Sequence, residues 1–323
     1  MGEKASIFQT SQVGIETTPM TAVPANKKLL AISVIPSSSV EADAFVASGN
    51  KYASFVTLNK DWTALDLSGK LTFNEILYLL VSLLSQPTPA QQGATTAYKW
   101  TFVSDTDGED AGKAFTVEQG DANNAWRCAG VRASGLTFTF NRKEVSLSGA
   151  GLGGPLETGI TLTAAPTSLT PKPVLPTQLK FYMADTQAGL AGATAMTRGF
   201  SLVWSLMDKV GLAWPVGGDP VVVEQKPKLE HKLKLATDAV GMGLLATMRA
   251  GSTKWLRVKA EGAVIESTYK HTVQIDFPVQ ISNVGKFEDN EGIYVLEYSL
   301  TGIHDATWGK SFQIEVITDV ATL

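Results

Sequence analysis

Cysteine and basic residues are both scarce in this sequence. Cys128 is the only cysteine among 323 residues, which excludes an intramolecular disulfide and any metal site built from several thiolates. Lys and Arg number 27 against 31 Asp and Glu, which gives a formal net charge of −4. Because no basic stripe is available to neutralise phosphates, the protein is not expected to bind nucleic acid tightly.

Long hydrophobic runs are also missing. The longest, ILYLLVSLL at residues 76–84, is far shorter than the roughly 20 residues that a membrane-spanning helix needs. The N-terminal stretch MGEKASIFQTSQ contains no apolar segment typical of a signal peptide. We therefore expect a soluble protein that is neither secreted nor anchored in a membrane.

The sequence has no recognisable catalytic or metal-binding motif. His231, His271 and His304 have no ligand spacing between them, and we interpret them as structural or surface residues. Cys128 has only Arg127 as an activating neighbour, so it is expected to be a small buried hydrophobe. We therefore assign no catalytic, cofactor-binding or metal-binding residue, and we expect a protein that is not an enzyme and needs no cofactor.

Two short motifs match ligand-binding loops only in part. DTDGED, residues 105–110, has the oxygen ligands and the glycine of a calcium loop, but Thr116 stands where that loop needs a glutamate. A solvated hairpin tip is therefore favoured over a cation site. GAGLGG, residues 149–154, lacks the Gly-Lys-Ser/Thr ending of a phosphate loop, and we interpret it as a turn or flexible connector.

The tryptophans leave two interpretations open. Most lie within strand patterns, which favours packing in cores or interfaces. The alternative is stacking on sugars or bases, as in a carbohydrate-binding or single-strand-binding module. The residues concerned are Trp62, Trp100, Trp126, Trp204, Trp214, Trp255 and Trp308.

Composition and patterning indicate a folded, mainly β protein. Hydrophobic residues make up 44% and charged residues 18% of the chain, and its length fits two domains of roughly 150 residues each. Most segments are rich in β-branched and aromatic residues, alternate in part and are separated by turn residues. Strands are therefore expected throughout, with few helices.

Two segments have helical patterns. In TFNEILYLLVSLL, residues 72–84, Thr72 and Glu75 have the spacing of a capping box, and one apolar face predicts a helix lying on a sheet. The second segment, TDAVGMGLLATM, begins at Thr237 or Asp238 and contains two glycines that weaken the prediction. The two segments occupy comparable places in the two halves of the chain.

The order of predicted elements repeats along the chain. In each half a strand precedes the helix, two strands follow it, and a similar ending closes the unit: NRKEVSLSGAGLGG at residues 141–154 and GIYVLEYSLTGIHD at residues 292–305. A repeat of about half the chain indicates duplication of a whole domain, since solenoid units are only 20 to 50 residues long. We predict a first domain at residues 1–165 and a second at residues 166–323, joined within the proline-bearing stretch at residues 163–178.

Stretches of the first half resemble the major tail tube proteins of long-tailed, siphovirus-type bacteriophages. The resemblance covers most of that half and extends to the second through the repeat. It is carried by GIETTPMTAVPANKKLLAISVIPSSSVEADAF, LNKDWTALDLSGKLTFNEILYLLVSLL, KAFTVEQGD and LTFTFNRKEVSLSG.

The resemblance implies two tandem tail-tube-like β-sandwich or partial-barrel domains, each with one flanking α-helix. Family members form rings of six such domains, which stack into a tube through which genomic DNA passes. Two domains in one chain then imply a trimeric, pseudo-sixfold ring. The implied partners are further copies of the chain and the tape measure, tail tip and tail terminator proteins, in a virion tail assembled in the bacterial cytoplasm.

The resemblance also implies contact residues. The first domain would carry a long loop, about residues 36–60, that reaches a neighbouring subunit or ring through the apolar side chains of Val40, Phe45, Tyr52 and Phe55. The corresponding segment of the second half, residues 214–228, begins with Trp214, which is the fifth expected contact residue, and is shorter or differently built. The prediction is thus a structural tail tube protein; the alternatives are a glycan-binding or receptor-binding virion decoration and, third, a glycan-acting enzyme.

Overall fold

The computed structural model describes residues 9–218 and 220–323, with only the backbone at Ala239. These residues form 21 strands and two α-helices, α1 at Ile76–Leu83 and α2 at Ala239–Arg249, so the prediction of a mainly β fold is confirmed. The strands before residue 165 are β1 Thr10–Ile15, β2 Lys27–Leu29, β3 Ile32–Phe45, β4 Phe55–Lys70, β5 Ala90–Gln91, β6 Tyr98–Val103, β7 Phe115–Gly120, β8 Ala125–Asn141, β9 Val145–Gly153 and β10 Leu156–Thr158. Those after it are β11 Thr167–Ser168, β12 Leu179–Ala184, β13 Gly199–Met207, β14 Val210–Ala213, β15 Val221–Glu224, β16 Lys228–Ala236, β17 Lys254–Glu266, β18 Tyr269–Val284, β19 Glu288–Asn290, β20 Ile293–Gly302 and β21 Gln313–Thr318.

One antiparallel sheet of eight strands runs through both halves of the chain. Its order is β3-β4-β9-β8 in the first half, continued by β13-β16-β20-β18 in the second. The strands β8 and β13 join the halves, with Phe138 opposite Trp204 and Leu136 opposite Leu206. All four of these side chains are buried, because alternate residues of a strand point to the same face and that face covers the core.

Further strands continue from β8 and β18, each of which bends out of the eight-stranded sheet at a β-bulge. The first part of β8 pairs with β7 and β10, and β7 continues to β1 and β2. The first part of β18 pairs with β17 and β21; β17 continues to β12, and β21 continues to β6 and β5. In this way β6, from the first half, extends the sheet of the second.

The helix α1 is buried on all sides, which differs from the prediction of one apolar face on a sheet. Each of its eight residues is buried. Thr72 Oγ1 accepts the backbone N–H of Glu75 at 3.1 Å, as a capping box requires. The Glu75 carboxylate does not reach back to Thr72, however, because it accepts the N–H groups of Leu30 and Ala31, each at 2.8 Å. This carboxylate therefore ties the helix to the start of β3.

The helix α2 begins as predicted. Asp238 is its N-cap, and the carboxylate accepts the N–H groups of Val240 at 3.1 Å and Gly241 at 3.0 Å. Leu244 is buried against the core. Val240 is exposed, although it lies four residues before Leu244 and therefore on the same side of the helix.

The two halves share one hydrophobic core. Trp204 of the second half stacks on Phe138 of the first, with ring centroids 5.4 Å apart. The chain after the predicted boundary also stays with the first half: Thr167 donates its N–H to the carbonyl of Asn26, and Val174 donates to that of Leu71. The division at residue 165 and the duplication stay predictions.

Candidate assembly surfaces

A hairpin arm formed by β3 and β4 extends beyond the rest of the sheet. The two strands pair from Ile32 and Gly69 to Phe45 and Phe55, but β9 pairs with β4 only as far as Thr63. The outer part is thus a two-stranded ribbon of roughly 25 Å, at ~3.3 Å per residue. Such a two-stranded ribbon is only marginally stable when nothing packs against it.

The prediction of a long loop at residues 36–60 is wrong for most of that range. Only residues 46–54 connect the strands, and the remainder is paired. The pattern was misleading because the solvent surrounds both faces of the ribbon, so the strands lack the alternation of buried and exposed residues that marks a half-buried strand.

Apolar side chains cover the arm. The predicted contact residues are all exposed, Val40 at 59%, Phe45 at 51%, Tyr52 at 74% and Phe55 at 57%. Phe45 and Phe55 stack at the end of the ribbon, with ring centroids 5.0 Å apart. Three more exposed apolar residues on the arm were not predicted: Val46, Val56 and Leu58. A concentration of exposed apolar side chains on one segment is typical of an interaction site.

Trp214 lies at the base of the arm and not on it. It directly follows β14, in the connection between the two strands of the β14–β15 hairpin, and is half-buried. The centroid of its ring is 6.0 Å from that of Trp62 in β4, in an edge-on arrangement. The structure therefore places the four predicted residues of the first half on one arm, brings Phe45 and Phe55 into contact, and leaves Trp214 in contact with its own chain. Its role in a subunit contact stays a prediction.

A buried ion cluster holds the β14–β15 hairpin against the first half. Lys209 is fully buried, and its Nζ contacts the carboxylates of Asp110, at 2.7 Å, and Glu224. Burial by itself would raise the pKa of Asp110, but hydrogen bonds from Lys209 and Ser104 and the lysine charge hold that pKa below its usual range. The prediction of a solvated tip for DTDGED is thus wrong at Asp110, which is a buried ion-pair partner. No local pattern around Lys209 indicated the cluster.

The solvent-facing side of the eight-stranded sheet is polar, and its lysines are neutralised. Across the first half it presents mainly serine and threonine, such as Ser33, Ser68 and Thr139. Lysines appear at the end of β4 and in the second half, each beside a carboxylate. The pairs on this face are Lys70–Glu144 at 3.0 Å, Lys228–Asp208 at 2.6 Å, Lys232–Glu297 at 3.2 Å and Lys234–Glu288 at 2.6 Å. This face offers little free positive charge to a polyanion.

The tryptophans pack against protein. None of the seven is exposed, and Trp100, Trp204 and Trp255 are buried. Trp255 and Trp308 form an edge-on pair with ring centroids 5.0 Å apart. Packing, the favoured interpretation, fits these positions better than an open stacking platform for sugars.

The glycine-rich stretch is a strand, so its prediction as a turn or connector is wrong. Residues 149–153 belong to β9, which pairs with β4 on one side and β8 on the other. A Cβ on Gly149 would lie 2.6 Å from the carbonyl oxygen of Gly135, and one on Gly153 would lie 2.6 Å from Cys128 Sγ. Glycine is needed here because the backbones approach closely.

Cys128 and two of the histidines lie in the interior. Cys128 is buried, as predicted, and burial raises the pKa of its thiol to about 12. His231 stacks between Trp204 and Phe277, with centroids 5.9 and 4.5 Å away. In the described part of the chain, no three His, Cys, Asp or Glu residues lie close enough together to hold a metal ion.

Acid should destabilise the fold through His231. Burial lowers its pKa from 6.5 to about 3, so the unfolded chain binds this proton more readily between those values. The free energy of unfolding is therefore expected to fall as the pH drops from 6.5 towards 3, by at most about 1.4 kcal/mol per pH unit from this group. His231→Gln should flatten the decline in urea titrations between pH 7 and 4. His304→Gln, which removes an exposed imidazole, is the control; equal acid sensitivity of the wild type and His231→Gln would contradict the assignment.

No protein-family model matches the chain, and no curated protein matches it. Neither helix in the described ranges combines the length and the hydropathy needed to cross a membrane.

Proposed function

We propose that the protein is a structural subunit that assembles with copies of itself into stacked rings, forming a tube through which DNA passes. The observation that carries this proposal is the eight-stranded sheet, which runs through both halves and ends in β3 on one side and β18 on the other. Within the described chain, β3 has no partner on the side away from β4, and β18 has none beyond Val279 on the side away from β20. Open edges of this kind need a cover, and further copies of the sheet can supply it.

The dimensions of such a ring suit a DNA duplex. Three chains would contribute about 24 strands to a shared barrel, and at ~4.8 Å spacing with ~45° tilt the backbone diameter is roughly 50 Å. Side chains narrow the bore by about 10 Å, which leaves room for a duplex. A trimer of this chain has the pseudo-sixfold symmetry that the resemblance to siphovirus-type tail tube proteins implies.

The polar face of the sheet suits a lumen that passes DNA without holding it. If this face lines the bore, the lysines in the ion pairs Lys232–Glu297 and Lys234–Glu288 are already neutralised. Few free cations then remain that could bind DNA phosphates and displace their counterions. The exposed arm then extends outside the barrel, where it can reach an adjacent ring. In this proposal the virion tail is the location, and the tape measure, tip and terminator proteins are the partners.

Negative-stain electron microscopy combined with light scattering tests the proposal. The purified chain, alone and with tail-tip initiators, is expected to form trimeric rings or tubes with a central hole wide enough for a duplex. A monomer that stays unassembled at high concentration in both conditions would contradict it. In that case a glycan array, with a Trp126→Ala variant as comparison, would test the decoration alternative.

A further inference from the structure

Part of β18, in the second half, has an open edge. The corresponding part of β8, in the first half, is paired with β13. β8 has a bulge between Ala133 and Gly135, after which it pairs with β9 on one side and β13 on the other. β18 has a bulge between Ile281 and Asn283, after which it pairs with β20 on one side. Among the described strands, none covers its other side beyond Val279. The internal β8–β13 junction is therefore a template for what could cover the edge of β18.

Phe287 shows what this edge lacks. The hairpin that leads into β20 corresponds to the β8–β9 hairpin of the first half. When residues are counted back from the two turns, Phe287 occupies the position that Phe138 has in the first half. Phe138 is 0% exposed because Trp204 of β13 stacks on it, whereas Phe287 is 60% exposed. An aromatic ring left open at a strand edge, in the position where its counterpart is covered by a neighbouring strand, indicates a missing strand of the same kind.

The strand β3 has the features of that missing strand. It is the counterpart of β13 in the sheet order, and it is unpaired on the side away from β4. In each half, the paired residues can be followed across the sheet from the residue after the bulge. By this comparison Ile35 in β3 occupies the position that Val203 has in β13, and Ser38 occupies the position of Leu206. Ile35 is 56% exposed, so this edge also leaves apolar surface open.

We propose that β18 of one copy pairs antiparallel with β3 of a second copy in the register of the β8–β13 junction. Leu136 lies opposite Leu206 within the chain, so Val284 lies opposite Ser38 of the next copy. One extra residue lies between Val284 and Glu288, since Val284 is opposite Tyr298 and Glu288 is opposite Val295. With that residue skipped, Phe287 takes the place of Phe138 and packs on Pro36 of the second copy, as Phe138 packs on Trp204. This inference rests on the proposed self-assembly and names the two strands and the alignment that carry it.

Engineered disulfides test the register. Directly opposed residues of antiparallel strands have Cα atoms about 4.5–5.5 Å apart, within the range that a disulfide spans. The double variant Ser38→Cys/Val284→Cys is therefore expected to give reducible dimers and trimers on oxidation. In Ser33→Cys/Val284→Cys the partner lies five residues further along the strand, about 16 Å away, and no cross-link is expected.

Two controls accompany these variants. Thr137→Cys/Ser205→Cys, whose hydroxyls are 2.9 Å apart across the internal junction, should form a bond within one chain. The single variants Ser38→Cys and Val284→Cys should stay free of cross-links to Cys128, since that thiol is buried and protonated.

The outcomes separate the two proposals. Rings seen by electron microscopy that give no cross-link between positions 38 and 284, or an equal one between 33 and 284, would overturn the register while leaving self-assembly intact. Chains that stay monomeric and free of cross-links at high concentration would overturn both. Cross-linked trimers from assembled protein, with none from the shifted pair, are the expected result.

Discussion

Replacing both Phe45 and Phe55 by serine is expected to leave rings intact and to stop them from stacking into tubes. The aromatic side chains of Phe45 and Phe55 stack on each other at the end of the arm and are about half exposed. An adjacent protein ring that covers them would therefore gain the free energy of burying their exposed surface. Burial of a fully exposed Phe side chain contributes about 2 kcal/mol, so covering the exposed half contributes about 1 kcal/mol. A ring of three copies carries six of these side chains, so the loss per stacked ring is about 6 kcal/mol.

Electron microscopy and sedimentation of the variant measure this effect. The matched control is Thr57→Ala, which changes an exposed residue on the same ribbon without removing apolar surface. Its tubes should match those of the wild type. Tubes of normal length from Phe45→Ser/Phe55→Ser would show that the end of the arm does not hold adjacent rings together. Loss of the rings themselves would place the arm in the contact between subunits of one ring.

Replacing Lys209 by methionine is expected to lower the free energy of unfolding by about 3–5 kcal/mol at neutral pH. The lysine is fully buried between two carboxylates, and its removal takes away the ion-pair partner of the buried Asp110 carboxylate. Urea denaturation measures the change. Lys228→Met is the matched control, because Lys228 also pairs with a carboxylate but lies at the surface, where solvent screens the pair and its loss changes stability little.

The effect of Lys209→Met should shrink as the pH falls. In the wild type the lowered pKa of Asp110 contributes stability that is present above the pKa of the unfolded chain and lost as the pH drops through the folded value. In the variant, acid protonates the buried carboxylates and relieves their repulsion. Wild type and variant should therefore converge towards low pH. A difference that is constant between pH 7 and 4 would assign the loss to packing of the lysine stem.

The parts of the fold that depend on neighbouring residues were predictable. The start of α2 followed from Asp238, and the burial of α1 residues followed in part from their apolar spacing. The identity of the exposed arm residues also followed from the sequence, although their conformation did not. In contrast, GAGLGG has the composition of a loop, and only its position between β4 and β8 explains why its glycines form a strand.

The candidate surfaces depend on contacts that no local pattern records. Phe287 follows a lysine and precedes acidic residues, which gives no sign that it occupies the place of buried Phe138. Lys209 has no distinctive spacing to Asp110, which lies about a hundred residues earlier. Glu75 could be recognised as a capping residue, but its carboxylate accepts the N–H groups of Leu30 and Ala31, because the connection between β2 and β3 presents both donors at the right place.

By itself the sequence determined the mainly β class, the two helices and the lack of disulfides, because propensity, periodicity and cysteine number act through residues close together or through composition alone. Only the tertiary structure decided that β8 and β13 join the halves into one sheet, that β3 and β18 are left as its open edges, and that Lys209 is buried between carboxylates. These features arise from pairing and burial between residues far apart in the chain, where many partners satisfy the same local pattern and packing selects among them.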